Sequence, residues 1–268
     1  MQLSIGLDPR GDPAGDVPAA LLSEAALLAP EAVEVDADDV EKLVGHRPDR
    51  AMNIVCIGAH PDDPETGCGG TLAKLVAQGH NVEILYLTRG EAGIRGGDRR
   101  TTAATRSLES VRACDLLRTR ALFANQIDGE TEADAGASQR FVELLASSRP
   151  DIVFTHWPLD THRDHRTAAL LAYQAWQLAS EEFALVYYEV MTGVQTHHFN
   201  PNCSIDISST WKQKRSAIYA HESQKPDRFY AYHEEMEKRR GSEANCERAE
   251  AFVVMREKLP KPYLPFTL

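Results

Sequence analysis

From Asn53 onward, short apolar runs alternate with longer amphipathic stretches. Asn53–Ala59 (NIVCIGA) is continuously apolar, as expected of a strand buried on both faces. A Gly-rich stretch follows, then a predicted helix over Gly70–Gln78 that Gly79 ends. Val82–Leu87 reads as a second strand, and a Gly- and Arg-rich loop leads to a helix over Thr102–Leu117. Ala121–Phe123 is a short third strand, followed by an acidic loop and a helix over 138–147. Asp151–Thr155 is a strand introduced by Pro150, a helix runs from near His165 to Ala179, and Leu185–Val190 is another strand. Beyond Thr192 the pattern weakens: Trp211–Tyr219 and Arg228–Arg239 have helical spacing, and Ala251–Val254 reads as a late strand. Strands alternating with helices predict an α/β fold, a mostly parallel sheet with helices on both faces.

The first 50 residues break this regularity. Val17–Leu28 has helical apolar spacing, but Pro and Asp interrupt the segment around it. The acidic stretch 31–42 predicts a short helix ending near Gly45. Residues 1–50 therefore read as an extension packed on a main domain spanning 51–268. No apolar run approaches the roughly 18 residues a membrane helix needs. Met1 to Val17 carries Asp and Pro where a secretory signal would carry an apolar core, so the expected location is cytoplasmic. A formal charge of -11 argues against nucleic acid or an anionic membrane as the main partner. The five cysteines form no CxxC pair, which fits free thiols in a reducing compartment and disfavours a Cys-rich zinc site.

In parallel sheets, ligands bind beyond the carboxyl ends of the strands. Two polar clusters fall there: His60-Pro61-Asp62-Asp63 after the first strand, and His162-Arg163-Asp164-His165 after Asp151–Thr155. Two imidazoles and one carboxylate make a three-ligand metal site that leaves room for water and substrate. His60 and Asp63 can reach one ion across a tight loop, and His165 can supply the third ligand. Asp62 is then a carboxylate beside the metal and free to take a proton from water. His162 can protonate a leaving group, and Asp164 can orient an imidazole. Each cluster alone has a bland reading, because Asp and His in loops before helices commonly serve turns and N-caps. Their joint occurrence at two strand ends favours catalysis.

The stretch AHPDDPETGCGGTLAKL (59–75) resembles the signature of the LmbE-like, or PIG-L, N-acetylglucosaminyl deacetylase family, and THRDHRTAA (161–169) resembles its second motif. TRGEAG (88–93), the Arg106-x-x-Glu109 pair and AIYAHESQ (217–224) match further landmarks, so the resemblance spans about residues 52 to 255. It implies a Rossmann-like fold, a single divalent ion, usually Zn2+ with Fe2+ as another candidate, and hydrolysis of an N-acetyl group on a glucosamine derivative. By motif, His60, Asp63 and His165 would bind the metal and Asp62 would be the general base. His162, paired with Asp164, would act as an acid or stabilise the oxyanion. Arg106 corresponds to the family arginine near the substrate. His221 would line the substrate pocket, and Arg163 and Arg106 could meet a phosphate or carboxylate on the substrate. This chain departs from many members in having Pro64 between the Asp pair and Glu65, and Arg163 where Pro is common. Two alternatives remain: an amidase removing a larger acyl group, and a non-catalytic nucleotide- or sugar-binding Rossmann-like protein. The expected partner is a small N-acetylated amino sugar or conjugate, and family members often assemble as homo-oligomers.

Other polar features have plainer readings. Gly67-Cys68-Gly69-Gly70 lacks the G-x-G-x-x-G spacing, so its glycines are expected to allow close packing, with Cys68 a small buried residue. His197 and His198, being adjacent, are expected at the surface. Trp157 shapes a loop or stacks on a sugar ring. The charged run from Glu234 to Arg240 is expected to be a solvated helix face.

Overall fold

The structure is a computed structural model, and it describes residues 39–44, 50–179 and 183–255. A seven-stranded sheet is formed by β1 (Asn53–Gly58), β2 (Asn81–Thr88), β3 (Arg120–Gln126), β4 (Ile152–His156), β5 (Ala184–Tyr188), β6 (Cys203–Asp206) and β7 (Ala249–Met255). Their order is β3-β2-β1-β4-β5-β7-β6. The first five strands are parallel, and β7 runs antiparallel to both β5 and β6. The helices are α1 (Asp39–Val44), α2 (Asp63–Ala77), α3 (Arg99–Leu117), α4 (Ala135–Ser147), α5 (Arg163–Leu178), α6 (Trp211–Tyr219) and α7 (Tyr230–Ala244).

Strand β1 explains why its sequence is continuously apolar. Ile54 and Cys56 enter one core, shared with Leu72 of α2 and Cys114 of α3. Val55 and Ile57 enter a second core, shared with Phe141 of α4 and Trp176 of α5. Successive side chains point to opposite faces of a sheet, so a strand covered on both sides must be apolar at every position. The predicted mostly parallel sheet with helices on both faces is therefore the observed architecture.

Several boundaries differ from expectation. The helix expected from Gly70 begins at Asp63, with Pro64 in its first turn and a break from helical geometry at Cys68. Proline in a first turn is pre-organised for a helix, and here it outweighs the glycines that follow. The glycines are needed for packing: a Cβ on Gly67 would collide with the Tyr188 ring, and one on Gly70 would sit 2.8 Å from Ile207. Strand β6 has no counterpart in the sequence pattern. It has four residues and lies at the sheet edge, too short to show an alternation. The charged run in α7 is only partly solvated, because Glu237 and Arg240 are buried in ion pairs with Lys214, Arg248 and Glu189. Of the predicted N-terminal extension, α1 is described, and it buries Val40 and Leu43 in the first core. The expectations for Val17–Leu28 and for the rest of residues 1–49 lie outside the described residues. No helix among the described residues is long and apolar enough to cross a membrane.

Chain order reverses at β1: β2 and β3 lie on one side of it, β4 and β5 on the other. The crevice beyond the carboxyl ends of β1 and β4 is the topological switch point, where ligands of open α/β sheets bind. Both polar clusters open into it.

Candidate active site

The loop from β1 into α2 is short and heavily fixed. The backbone N–H and hydroxyl of Thr88 both donate to the Ala59 carbonyl at 3.0 Å, and the Ala59 N–H donates to His156 Nε2 at 3.0 Å. Asp62 occupies the N-cap position of α2 with φ 106° and ψ -26°, and its side chain makes no capping hydrogen bond. A positive φ in a residue with a Cβ stores strain that the surroundings must hold. The plain N-cap reading of Asp62 thus fails: its carboxylate Oδ2 instead faces Arg106 Nη2 at 3.2 Å.

Asp63, the first residue of α2, is the hub of the site. Its Oδ2 accepts the His60 N–H at 2.7 Å and lies 3.2 Å from His60 Nδ1 and 3.3 Å from His156 Nε2. Its Oδ1 lies 3.3 Å from His165 Nε2. Asp63 thus touches both His60 and His165, but the expected trio of His60, Asp63 and His165 is not itself one of the closest-set groups of candidate ligands. His165 Nδ1 is braced by Asp160 Oδ2 at 3.2 Å and by the Gln195 amide at 3.3 Å. Three buried or half-buried sets place ligand atoms close together: His60/His162/His165, Asp63/His156/His165 and His60/Asp128/Asp164.

His162 caps α5, its Nδ1 accepting the Asp164 N–H at 3.2 Å. The Asp164 carboxylate does not turn to His162. It faces His60 Nε2 at 3.2 Å and accepts the Gly129 N–H and the Thr131 hydroxyl, each at 2.7 Å. Asp164 does orient an imidazole, but that imidazole is His60, because the capping turn leaves the two neighbouring side chains pointing apart.

Sequence reasoning missed four residues of this cluster: Asp128, His156, Asp160 and Gln195. His156 ends β4, one position past the predicted Asp151–Thr155 strand, and Asp128 follows β3. Both stand at carboxyl ends of strands, so the rule that located the two motifs could also have flagged them. Gln195 carries no such signal, since it reaches His165 from the loop after β5.

Burial opposes charge throughout the cluster, and specific partners decide where charge persists. For His60 the hydrogen bonds to Asp128, Asp164 and Asp63 outweigh burial and raise its pKa well above the ordinary imidazole value. Burial also opposes charge on His165, but Asp63 and Asp160 bring it up to about 9. His156 is pushed down to about 4 by burial and by the charge on His165. His162 is lowered by burial and by the charges on His60 and His165. Asp63, despite burial, is held well below the usual carboxylate range by His165 and His156. Burial pushes Asp62 the other way, up to about 6, with Arg106 pulling it down and Asp63 pushing it further up. Two adjacent carboxylates are thus driven in opposite directions, the usual mark of separate acid–base roles.

The three residues expected to touch substrate bond within the protein. Arg106 is 3% exposed and bonds the Pro61 and Gly90 carbonyls. His221 is fully buried, its Nε2 3.1 Å from Glu65 Oε1, so it does not line an open pocket. Arg163 is exposed, but its guanidinium donates to the Gly129 and Thr131 carbonyls at 3.1 and 3.0 Å and ties down that loop. The two arginines thus hold backbone carbonyls, and His221 faces the Glu65 carboxylate. His197 and His198 are exposed, as expected.

The donor set suits a divalent cation. It is a buried mixture of imidazole nitrogens and carboxylate oxygens, the ligands zinc and ferrous iron take.

Residues 55–176 match the PIG-L family, described as GlcNAc-PI de-N-acetylase. The diacetylchitobiose deacetylase of Thermococcus kodakarensis is 31% identical over 190 residues, 65% of this chain and 70% of that protein. The 4-oxalmesaconate hydratase of Pseudomonas putida is 24% identical over 221 residues, 74% of this chain and 85% of that protein. The crystal structure of a conserved protein, TT1542, from Thermus thermophilus matches with a TM-score of 0.67 and 30% identity, covering 79% of this chain and 98% of that one.

Proposed function

The chain belongs to the PIG-L, or LmbE-like, family, and from that premise we propose that it is a zinc-dependent hydrolase that removes the N-acetyl group from an N-acetylglucosamine-type sugar or conjugate. One observation carries the reading: a second carboxylate, Asp62, paired with Arg106 and turned away from the imidazoles, stands directly beside the buried Asp63 that gathers His60 and His165. Binding alone does not need that second carboxylate, and hydrolysis does.

His60, Asp63 and His165 would hold the ion, with Fe2+ compatible with the same donors. A divalent ion there would polarise the acetyl carbonyl and acidify water beside it. Asp62 takes a proton from the attacking water as the water oxygen bonds to the acetyl carbon. His162 Nδ1 already accepts a backbone N–H, so in the neutral ring Nε2 carries the proton and donates toward the acetyl oxygen as negative charge develops. The C–N bond then breaks, and Asp62 returns its proton to the departing nitrogen, leaving acetic acid and a free amine, which become acetate and an ammonium group at neutral pH. Asp128 and Asp164 fix His60, while Asp160 and Gln195 fix His165.

The test is an amine-release screen over N-acetylglucosamine conjugates with zinc-loaded protein. Stoichiometric acetate and amine are expected. Release of only larger acyl groups would make the chain an amidase. Binding of a sugar without turnover would make it a binding module. Hydration of an unsaturated acid with no amide cleaved would align it with its hydratase relative.

A further inference from the structure

The segments TRGEAG, Arg106-x-x-Glu109 and AIYAHESQ supply none of the candidate metal ligands, yet they meet along α3 behind the cluster. The Arg106 guanidinium lies between the Pro61 carbonyl, the Gly90 carbonyl and the Asp62 carboxylate. The slot it occupies is lined by Gly90 and Gly93: a Cβ on either glycine would collide with the guanidinium. Gly90 also has φ +65°, and the Gly93 N–H closes the turn onto the Gly90 carbonyl at 3.0 Å. One turn along α3, Glu109 accepts the Ser223 N–H at 2.7 Å and the Ser223 hydroxyl at 2.6 Å. This ties the 221–224 segment to the same helix and sets His221 against Glu65.

We infer that Arg106 is a positioning residue for Asp62. It holds the Pro61–Asp62 peptide in its left-handed conformation by bonding the Pro61 carbonyl, and it aims the Asp62 carboxylate by pairing with it. Gly90 and Gly93 are the slot that admits it. The physical reason is that a non-glycine residue at φ 106° stays there only while its neighbours over-determine it. Arg106 contacts the residue before Asp62 and the Asp62 side chain with one planar, multi-donor group, which lysine cannot imitate. This role rests on the reading of Asp62 as the general base, but the conformational part stands apart from it.

The experiment pairs kinetics with crystallography on full-length, zinc-loaded Arg106→Met, Arg106→Lys and Gly93→Ala. Displacing a reacting group by about 1 Å can cost about 10²-fold, so kcat should fall by about that factor in both Arg106 variants. Zinc content and KM should be unchanged, and the loss should be equal for neutral and anionic conjugates. Gly93→Ala should move the same way by a smaller factor, because it crowds Arg106 without removing it. In crystals of Arg106→Met, Asp62 should leave the positive-φ region. Asp62 remaining at positive φ in that variant would overturn the inference whatever substrate the enzyme takes. A rise in KM confined to anionic conjugates, with kcat kept, would assign Arg106 to substrate binding instead. Should Arg106→Met fail to fold, the same readings on Arg106→Lys and Gly93→Ala decide it. A wild-type protein that cleaves no amide would refute the deacetylase reading, and the crystal comparison would still decide the role of Arg106.

Discussion

His162 Nδ1 accepts the backbone N–H of Asp164 at 3.2 Å, so the cap of α5 and the tautomer of a candidate catalytic imidazole are set by one hydrogen bond. Burial and the charges on His60 and His165 keep this ring neutral near pH 7. His162→Gln should therefore keep its zinc and lose about 10²–10³ in kcat, the usual cost of an oxyanion donor. The alkaline side of the pH–rate profile should keep its shape. Loss of an alkaline limb in this variant would show that His162 acts as a general acid.

The two neighbouring carboxylates should separate cleanly. Asp63→Ala should lose the ion together with turnover, because Asp63 touches His60, His156 and His165. Asp62→Asn should keep the ion and lose about 10²–10⁴-fold in kcat, the ordinary worth of a general base. Metal-to-protein ratio and kcat measured on the same preparations check both. Normal turnover in metal-loaded Asp62→Asn would make another group the base, with Glu65 the first to test.

The same assignment sets the acid side of the profile. Asp62 works as a base only when ionised, and burial pushes its carboxyl up to about 6. The value of kcat/KM should fall as pH drops through about that point. A bound divalent cation favours the ionised form, so the zinc-loaded limb should lie on the acid side of it. A flat profile down to the ordinary carboxylate range would remove Asp62 from the role.

Metal-free protein should respond to pH in the opposite sense. The folded pKa of His165, about 9, lies above its unfolded value, so the stability it contributes is complete below about 6.5 and is lost as pH rises through about 9. The Tm of chelated protein should decline across that window. Zinc should raise Tm more at the upper end, where protons no longer compete for the imidazoles. A zinc-induced Tm gain that is equal at both ends would argue against His165 as a ligand.

Lys214 offers a test of stability away from the chemistry. It is 1% exposed and pairs with Glu237 at 3.0 Å and Glu250 at 2.7 Å, and Glu250 in turn accepts the Gly70 and Thr71 N–H groups of α2. Lys214→Met leaves buried carboxylates short of a partner, which typically costs about 3–5 kcal/mol. Denaturant unfolding should show that loss, with zinc content unchanged in the folded fraction.

Sequence by itself determined the strand and helix alternation, the two motifs and their placement at strand ends. Those features are local: period, caps and turn residues act within a few positions. The pairing of β7 into the sheet between β5 and β6 was not local, nor was the short strand β6. Only the tertiary structure brought His156, Asp128, Asp160 and Gln195 to the motif histidines, because their proximity depends on which strands neighbour β1 and β4. It alone decided that Arg106 and His221 are interior. A buried arginine and an exposed one have the same sequence signature, and what separates them is whether glycines elsewhere leave space for the guanidinium. The two adjacent carboxylates differ for the same reason. Asp62 and Asp63 are chemically identical in sequence, and the strained turn between β1 and α2 points one at Arg106 and the other at three imidazoles.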